Sequence, residues 1–290
     1  MNWGPRRARL RALLAGPRCV FPASLHDPLS ARLAQDLGFE MGMLAGSVAS
    51  LAILGAPDLI LLTLSEFAGL ALRINRATAL PLLVDADHGY GNALNVRRTV
   101  EELEIAGVAA LTIEDTLLPT PFGGVGETRL VSIEEGRGKM AAALAGRGDP
   151  ALVVAARTGA MAVAGVDDTI ARGRAYAALG VDALFLTGVR RRAELDAIAA
   201  AVPLPLMLGT LSPELEDADY LSARGVRIAL QGHLPFMAAL QAAESTLQAL
   251  RAGTKPAAIA NTARPDLLRR VTREADYRHA MAAFLGQAGG

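Results

Sequence analysis

The segment Pro-Leu-Leu-Val-Asp-Ala-Asp-His-Gly-Tyr-Gly-Asn, residues 81–92, decides how the rest of the chain is interpreted. Its short apolar run, bounded by proline and glycine, predicts a buried strand rather than a helix. Side chains two apart on a strand share a face, so Asp85 and Asp87 would lie side by side. Two adjacent carboxylates repel unless a cation or a shared proton compensates. Oxygen ligands favour Mg2+, with Mn2+ second, whereas the alternative interpretation is a turn with two solvated aspartates.

Similar apolar runs recur along the chain, and each is followed by a helical pattern. Such alternation predicts an α/β fold of the (β/α)8 type, a TIM barrel, whose parallel strands are buried on both faces. A doubly wound open sheet is the competing fold, but polar residues at the C-terminal end of nearly every strand favour the barrel. The predicted strands are residues 19–24, 41–45, 81–87, 109–114, 151–157, 182–187, 204–208 and 226–230.

The two ends of the chain differ in composition from this repeating part. The basic N-terminus predicts an amphipathic first helix, and residues 251–256, Arg-Ala-Gly-Thr-Lys-Pro, are typical of a linker. We therefore expect residues 1–250 to form the barrel with its N-terminal helix. Residues 251–290 would form a helical extension, with one helix over residues 263–285.

Composition excludes several classes of function. Lys+Arg and Asp+Glu both number 29, so no basic field indicates nucleic acid or an anionic membrane surface. No apolar run is long enough for a membrane span, and Cys19 is the single cysteine, so we expect a cytoplasmic protein without disulfides. The only lysines, Lys139 and Lys255, lie outside the strand ends, which excludes a Schiff-base lysine there.

Acidic residues gather at the predicted strand ends, where the loops of a barrel build the active site. Glu114 ends the fourth strand, and Asp58 lies in the segment after the second strand. Together with Asp85 and Asp87 they form a candidate carboxylate set around a cation. The alternative for Asp58 is a helix cap, and the alternative for Glu114 is a structural pair with Arg157.

Further strand ends carry groups that suit a small anionic substrate. Arg157 ends the fifth strand and could grip a carboxylate with two parallel hydrogen bonds. Gly46-Ser47-Val48 offers consecutive backbone N–H groups beside a hydroxyl, although an ordinary tight turn is the alternative. His233 follows the eighth strand and could donate a proton or a hydrogen bond, unless it is a structural histidine. Asp58, Arg157 and His233 are the candidate catalytic residues.

These residues resemble the motifs of the phosphoenolpyruvate mutase/isocitrate lyase superfamily. The resemblance covers about residues 18–250, and its most specific segment is Asp-x-Asp-x-Gly-x-Gly at residues 85–91. Within the superfamily, residues 114–119 and Gly232-His233 are most similar to the oxaloacetate decarboxylase branch. The other matching segments are residues 46–50, 56–58, 112–115 and 156–158.

The resemblance implies a set of roles. Asp85 and Asp87 would hold Mg2+, with Asp58 and Glu114 acting largely through water. A small 2-oxo or 2-hydroxy acid would bind through its carboxylate to Arg157 and to Ser47 with neighbouring amides. The resemblance also implies a homotetramer, a dimer of dimers that exchanges C-terminal helices between subunits.

The expected reaction is Mg2+-dependent decarboxylation of oxaloacetate, or a close 2-oxo diacid, to pyruvate and CO2 through an enolate. The loop after the fourth strand lacks the Lys-Lys-Cys-Gly-His segment of the lyase branch, which counts against cleavage of isocitrate or methylisocitrate. Gly159 and Leu211 also depart from the decarboxylase pattern, in which asparagine and tyrosine are usual. A lyase of the 2-methylisocitrate type, a phosphonate hydrolase and a non-catalytic barrel are the competing functions.

Overall fold

Eight parallel strands form the centre of the computed structural model, which describes residues 1–286. Each strand pairs with the next in sequence, so the order is β1 to β8 without a crossover. This confirms the predicted (β/α)8 barrel. The strands are β1 (Ala23–Ser24), β2 (Gly42–Leu44), β3 (Leu82–Asp85), β4 (Ala110–Glu114), β5 (Val153–Thr158), β6 (Ala183–Leu186), β7 (Leu206–Thr210) and β8 (Val226–Leu230).

The barrel closes between β8 and the residues that precede β1. The Val20 N–H donates to the Arg227 carbonyl at 2.9 Å, and the Ala229 N–H donates to the Val20 carbonyl at 3.0 Å. The observed strand β1, Ala23–Ser24, is shorter than the predicted strand over residues 19–24. Pro22 has no N–H to donate, so regular pairing begins only at Ala23.

Helices surround the strands, and their starts follow local capping chemistry. Asp27 accepts the Ser30 N–H at 2.6 Å, and Ser132 accepts the Glu135 N–H at 3.0 Å, as their sequence signals predict. The helices are α1 (Gly4–Ala15), α2 (Pro28–Asp36), α3 (Gly46–Leu54), α4 (Leu64–Ala77), α5 (Ala93–Ile105), α6 (Ile133–Gly146), α7 (Ala160–Val163), α8 (Val166–Ala177), α9 (Arg192–Ala201), α10 (Ala218–Ala223), α11 (Leu234–Arg251), α12 (Pro265–Thr272) and α13 (Glu274–Leu285).

Some segments differ from the sequence predictions. Gly46-Ser47-Val48 begins helix α3 and is not a tight turn. The pattern of residues 213–223 predicts one helix, but this segment forms a 3-10 turn (Pro213–Leu215) followed by α10. Residues 263–285 form two helices, because Arg273 adopts a left-handed φ of 58° between α12 and α13.

Helix α1 covers the end of the barrel where β4 and β5 begin. The Arg7 guanidinium donates to the carbonyls of Glu104 at 2.7 Å and Val108 at 3.1 Å, and to Asp149 at 2.7 Å. Arg11 donates to the Ala151 carbonyl at 3.0 Å. Because active sites of such barrels lie at the opposite end, these arginines are structural.

The chain divides into two compact units, and each is described by itself. The first, Met1–Leu234, contains the whole barrel, and the second begins at Pro235. In the second unit, a groove is lined by α11 together with Thr254 and residues 258–261. Leu240 and Leu247 of α11 are 59% and 66% exposed. The domain boundary predicted after residue 250 stays a prediction. None of the helices within residues 1–286 has the length and apolar character that a membrane span requires.

Candidate active site

A cavity of about 270 Å³ opens at the C-terminal ends of the strands. Strand ends from around the barrel and the loops that follow them form its wall, as expected for this fold. The cavity therefore brings together residues that are up to 190 positions apart in sequence, from Met43 to His233. Predicted site residues in its wall are Ser47, Asp58, Asp85, Asp87, Glu114, Arg157 and His233.

Asp85 is the last residue of β3 and is buried. The Thr112 hydroxyl, on neighbouring β4, donates to its Oδ1 at 2.9 Å. Arg157, at the end of β5, forms a hydrogen-bonded ion pair with its Oδ2. The carboxylate is therefore held in one orientation by partners from the next two strands.

Asp87 lies against the first residue of α3. A Cβ atom at Gly46 would be 2.5 Å from Oδ1 of Asp87, so only glycine permits this approach. The N-terminus of α3 carries a partial positive charge, which favours a carboxylate at this place. Asp87 itself adopts a left-handed φ of 48°, an unusual conformation that directs the backbone after β3.

Glu114 ends β4 and is also buried. The Thr116 hydroxyl donates to its Oε2 at 2.7 Å, and Nη2 of Arg157 lies 3.6 Å from the same oxygen. The Glu114 N–H donates to the Asp87 carbonyl at 2.8 Å, which ties β4 to the loop after β3. Glu114 and Arg157 are thus paired and face one cavity, so the two interpretations from sequence describe the same arrangement.

The proximity of the carboxylates changes their acidity. Burial raises the pKa of Asp87 well above its ordinary value, and the charges of Asp85, Glu114 and Asp58 raise it further. Burial also raises the pKa values of Glu114 and Asp58. Burial alone would lower the pKa of Arg157, but Asp85 and Glu114 outweigh it and raise that pKa. The guanidinium therefore stays charged.

This donor set fits a hard divalent cation. All the candidate ligands are carboxylate oxygens, and a cation would relieve the repulsion that raises the Asp87 pKa. Among residues 1–286, no three Asp, Glu, His or Cys side chains converge closely enough to hold one ion together. Mg2+ commonly binds through one or two carboxylates and keeps several waters. Asp85 and Asp87 would then hold the ion, and Glu114 and Asp58 would reach it through water.

The other predicted binding residues occupy different positions around the cavity. Ser47 lines it from the first turn of α3. Gly46 is not part of the wall and contributes by leaving room for the Asp87 carboxylate. Val48 is 1% exposed and is not part of the wall, so only its backbone could serve a ligand. Asp58 is not a helix cap, because Thr63 caps the next helix, α4.

His233 has a partner that the sequence interpretation missed. The Ser24 hydroxyl, at the end of β1, lies 2.9 Å from Nδ1 of His233. Burial lowers the pKa of His233, although Asp85 and Asp58 raise it in part. The ring is therefore neutral near pH 7. The only sequence signal for Ser24 was its place at a strand end, and no motif accompanies it.

Two loops complete the wall with residues that the sequence did not single out. Leu59 and Ile60 come from the loop after α3, and Leu118 and Thr120 come from the loop after β4. That second loop is closed at its base by a bridge between Thr116 and Leu130. These four residues therefore form part of the wall that a substrate in the cavity would meet.

A buried cluster anchors the same loop from outside the cavity. The Tyr176 hydroxyl donates to Asp115 at 2.7 Å, and Arg172 donates to Asp115 at 3.1 Å and to the Val131 carbonyl at 2.9 Å. Gly136 makes room for this hydroxyl, since a Cβ there would lie 2.3 Å from it. The loop after β4 is therefore held at both ends, at Asp115 and at Val131, by these hydrogen bonds.

Comparisons with known proteins place these features in context. A sequence model of the phosphoenolpyruvate phosphomutase family matches residues 10–251. A protein of Bradyrhizobium diazoefficiens named oxaloacetate decarboxylase is 58% identical over 286 residues, covering 99% of both chains.

Solved structures resemble the chain over nearly its full length. Oxaloacetate acetylhydrolase in complex with 3,3-difluorooxalacetate superimposes with a TM-score of 0.87 at 29% identity, covering 99% of each chain. Phosphonopyruvate hydrolase in complex with oxalate and Mg2+ gives a TM-score of 0.85 at 31% identity, covering 97% of this chain and 99% of that one. Each of these enzymes is similar to the chain in both fold and sequence.

Proposed function

The chain belongs to the phosphoenolpyruvate phosphomutase family, and we propose that it decarboxylates oxaloacetate, or a close 2-oxo diacid, to pyruvate and CO2. This membership confirms the resemblance to the superfamily. One observation carries the proposal. Four carboxylates, an arginine and a histidine line one small cavity in a chain 58% identical over 286 residues to a protein named oxaloacetate decarboxylase.

We propose Mg2+ as the cofactor, with Mn2+ as a substitute. A divalent cation bound at Asp85 and Asp87 would supply Lewis-acid stabilisation of the negative charge that develops on the substrate. The structural relative phosphonopyruvate hydrolase has been solved with oxalate and Mg2+, which supports this choice. Removing divalent ions with a chelator should therefore abolish turnover, and adding Mg2+ should restore it.

The protein's own groups orient the substrate for loss of one carboxylate. Arg157 is charged and lines the cavity, so it can bind a substrate carboxylate by a charge-assisted pair. Ser47 and the backbone N–H groups at the start of α3 can donate to an oxygen that gains charge. These donors are fixed before the substrate arrives, which lowers the cost of reorganisation.

The reaction breaks the bond between C3 and C4 of oxaloacetate. The C4 carboxylate leaves as CO2, and its bonding electrons remain on the three-carbon fragment as the enolate of pyruvate. A proton then returns to C3 from water, and neutral His233, which lines the same cavity, can orient that water or the enolate oxygen by a hydrogen bond.

A product assay tests this function directly. Purified protein with Mg2+ and oxaloacetate should form pyruvate and CO2 in equal amounts, faster than the spontaneous and Mg2+-catalysed reaction. Oxalate with acetate would instead indicate the hydrolysis after which the structural relative oxaloacetate acetylhydrolase is named. Turnover only of 2-methylisocitrate would indicate a lyase of that type, and turnover only of phosphonopyruvate would indicate a phosphonate hydrolase. No turnover of any of these acids would favour a non-catalytic barrel.

We also propose that the second unit serves assembly. Helix α11 exposes Leu240 and Leu247 although it is largely apolar, and no residue of α11 is buried. A homotetramer built as a dimer of dimers, with C-terminal helices exchanged between subunits, would cover these side chains. The proposal places the enzyme in the cytoplasm, where the free, buried Cys19 needs no disulfide partner.

A further inference from the structure

We propose that Ser24 is a positioning residue that sets the tautomer of His233, so that the proton sits on Nε2 and faces the cavity. Of the two ring nitrogens, Nδ1 is engaged by the Ser24 hydroxyl at 2.9 Å. His233 lines the cavity, so Nε2 is the nitrogen left to serve a ligand there. A histidine's second hydrogen bond commonly decides which nitrogen is protonated.

The Ser24 side chain is held by a rigid backbone. Ser24 pairs with Met43 across β1 and β2; the Ala23 N–H donates to the Met41 carbonyl at 3.1 Å, and the Leu25 N–H donates to the Met43 carbonyl at 2.8 Å. The Cβ atom of Ser24 is therefore fixed, and only rotation about the Cα–Cβ bond could move the hydroxyl with the imidazole. Because Ser24 lies on a paired strand and His233 lies in a loop, Ser24 is the member of the pair whose position is fixed.

The direction of this hydrogen bond follows from the charges in the cavity. Asp58 and Asp85 line the same cavity as His233, and their negative charges act on its ring from that side. A lone pair on Nε2 would face these carboxylates and be repelled, whereas an Nε2–H would be attracted to them. Nδ1 is then the unprotonated nitrogen, and the Ser24 O–H donates to it.

This arrangement assigns His233 the role of a donor. In the neutral ring, Nε2–H can donate a hydrogen bond to a substrate or enolate oxygen, whereas the other tautomer could only accept one at this position. The part that concerns turnover rests on the proposed decarboxylation. The tautomer itself does not, because it is a property of the protein without substrate.

Long-range 1H–15N spectra of histidine-labelled protein test the tautomer. The chain has four histidines, and a His233→Gln variant identifies the signals of His233 by their loss. In the wild type at pH 7.5, we expect the proton on Nε2 and the shift of a hydrogen-bonded, unprotonated Nδ1. In Ser24→Ala the Nδ1 shift should move toward that of an imidazole without this bond. A wild-type proton on Nδ1, or an unchanged Nδ1 shift in Ser24→Ala, would overturn the proposal.

Kinetics separate positioning from a purely structural effect. Ser24→Ala should lower kcat about tenfold, the factor expected from one lost hydrogen bond, with a smaller change in KM. Ser24→Thr keeps the hydroxyl and should retain most of the activity and the wild-type spectrum. Ser245→Ala, which removes a hydroxyl bonded only to neighbours on α11, is the matched control and should change neither.

The outcomes distinguish this inference from the proposed function. A displaced Nδ1 signal in a protein that does not decarboxylate oxaloacetate would leave the positioning role intact and overturn the function. Normal decarboxylation with an unchanged kcat in Ser24→Ala would overturn the positioning role alone. If Ser24→Ala does not fold, the wild-type tautomer and Ser24→Thr still decide.

Discussion

At the scale of single residues, the carboxylates of the site lower the stability of the folded chain while they serve its function. Asp85, Asp87 and Glu114 converge where burial and mutual repulsion raise the pKa of Asp87. Only part of this charge is compensated, by Arg157. Carboxylates held in this way are unfavourable for the folded chain alone, and a bound cation offsets the cost.

Replacing Asp87 by Asn should therefore stabilise the chelator-treated protein at pH 7 while reducing turnover by roughly a thousandfold. The folded-state pKa of Asp87 is raised, so its contribution to stability is most favourable below the unfolded-state pKa, about 4, and worsens as the pH rises toward the folded-state pKa. The advantage of the Asn variant should thus be present at pH 7 and vanish near pH 4. Thermal melts in EDTA at both pH values measure it.

The metal arm of the same experiment provides the control. Adding Mg2+ should raise the melting temperature of the wild type and leave that of Asp87→Asn nearly unchanged. An equal Mg2+-induced shift in both proteins would contradict the assignment of Asp87 as a ligand.

Gly46 permits a second prediction at this scale. A methyl group there would lie 2.5 Å from the Asp87 carboxylate, so Gly46→Ala should displace that carboxylate and lower kcat about a hundredfold. The helix itself accepts alanine well. Isothermal titration with Mn2+ should show a weaker site alongside the kinetic loss.

Gly138→Ala is the matched control for this change. Gly138 lies within α6, and a Cβ there would meet nothing within 4 Å. We expect unchanged kcat and a small gain in stability, up to about 1 kcal/mol. Similar kinetic losses in both variants would indicate that Gly46 has no special role.

The site residues that could be predicted from sequence are those whose functional groups lie close together along the chain. Two aspartates in alternation at a strand end carry a signal in themselves, and the cavity brings both together with Arg157. Ser24 carried no such signal, because a serine near a strand end is common. Its partner, His233, is 209 residues away, and only the closed barrel brings them together.

At the scale of helices and strands, prediction followed local chemistry and failed where packing decides. Helices α2 and α6 begin at side-chain caps that the sequence displays. Helix α3 has no such cap, and it begins with glycine, so its helical state depends on burial of Val48 and its neighbours. Its N-terminus nevertheless supplies the part of the site that a turn was expected to form.

Helix α1 offers a test of stability that is remote from the cavity. Arg7 is 4% exposed and donates to two carbonyls and to Asp149. Arg7→Met should lower the free energy of unfolding by about 2–3 kcal/mol, because buried acceptors lose charged donors. Urea denaturation measures the loss, and kcat should stay unchanged in the folded fraction.

Arg9→Met is the corresponding control on the same helix. Arg9 donates to a single exposed carbonyl, that of Ala79, at 3.2 Å. Its replacement should change stability by no more than about 0.5 kcal/mol. Equal destabilisation by both changes would mean that α1 acts through general charge and not through the buried Arg7.

At the scale of the whole molecule, the alternation of strands and helices was sufficient to predict the barrel. Eight apolar runs correspond to eight strands in sequence order. The homotetramer is implied by the family resemblance and stays a prediction, because an exposed leucine in one chain does not identify the surface that covers it.

Assembly through α11 is therefore tested on the intact chain. Leu240→Glu combined with Leu247→Glu places two charges on exposed leucines two turns apart, and it should shift the protein from a tetramer to smaller species. Light scattering after size exclusion gives the mass. Gln248→Glu adds charge on the same helix without removing an apolar side chain and should keep the tetramer. A wild-type monomer would overturn the proposed assembly.

The closure of the barrel beside Pro22 has one more consequence. A closed barrel opens most easily where two neighbouring strands share the fewest hydrogen bonds, and here that place is the pairing of Val20 with the residues of β8. Amide protons of Val20 and Ala229 should therefore exchange with deuterium sooner than those in the middle of β4 and β5. Ser24 and His233 follow this pairing on the two neighbouring strands, so local opening of the barrel would first disturb the hydrogen bond between them.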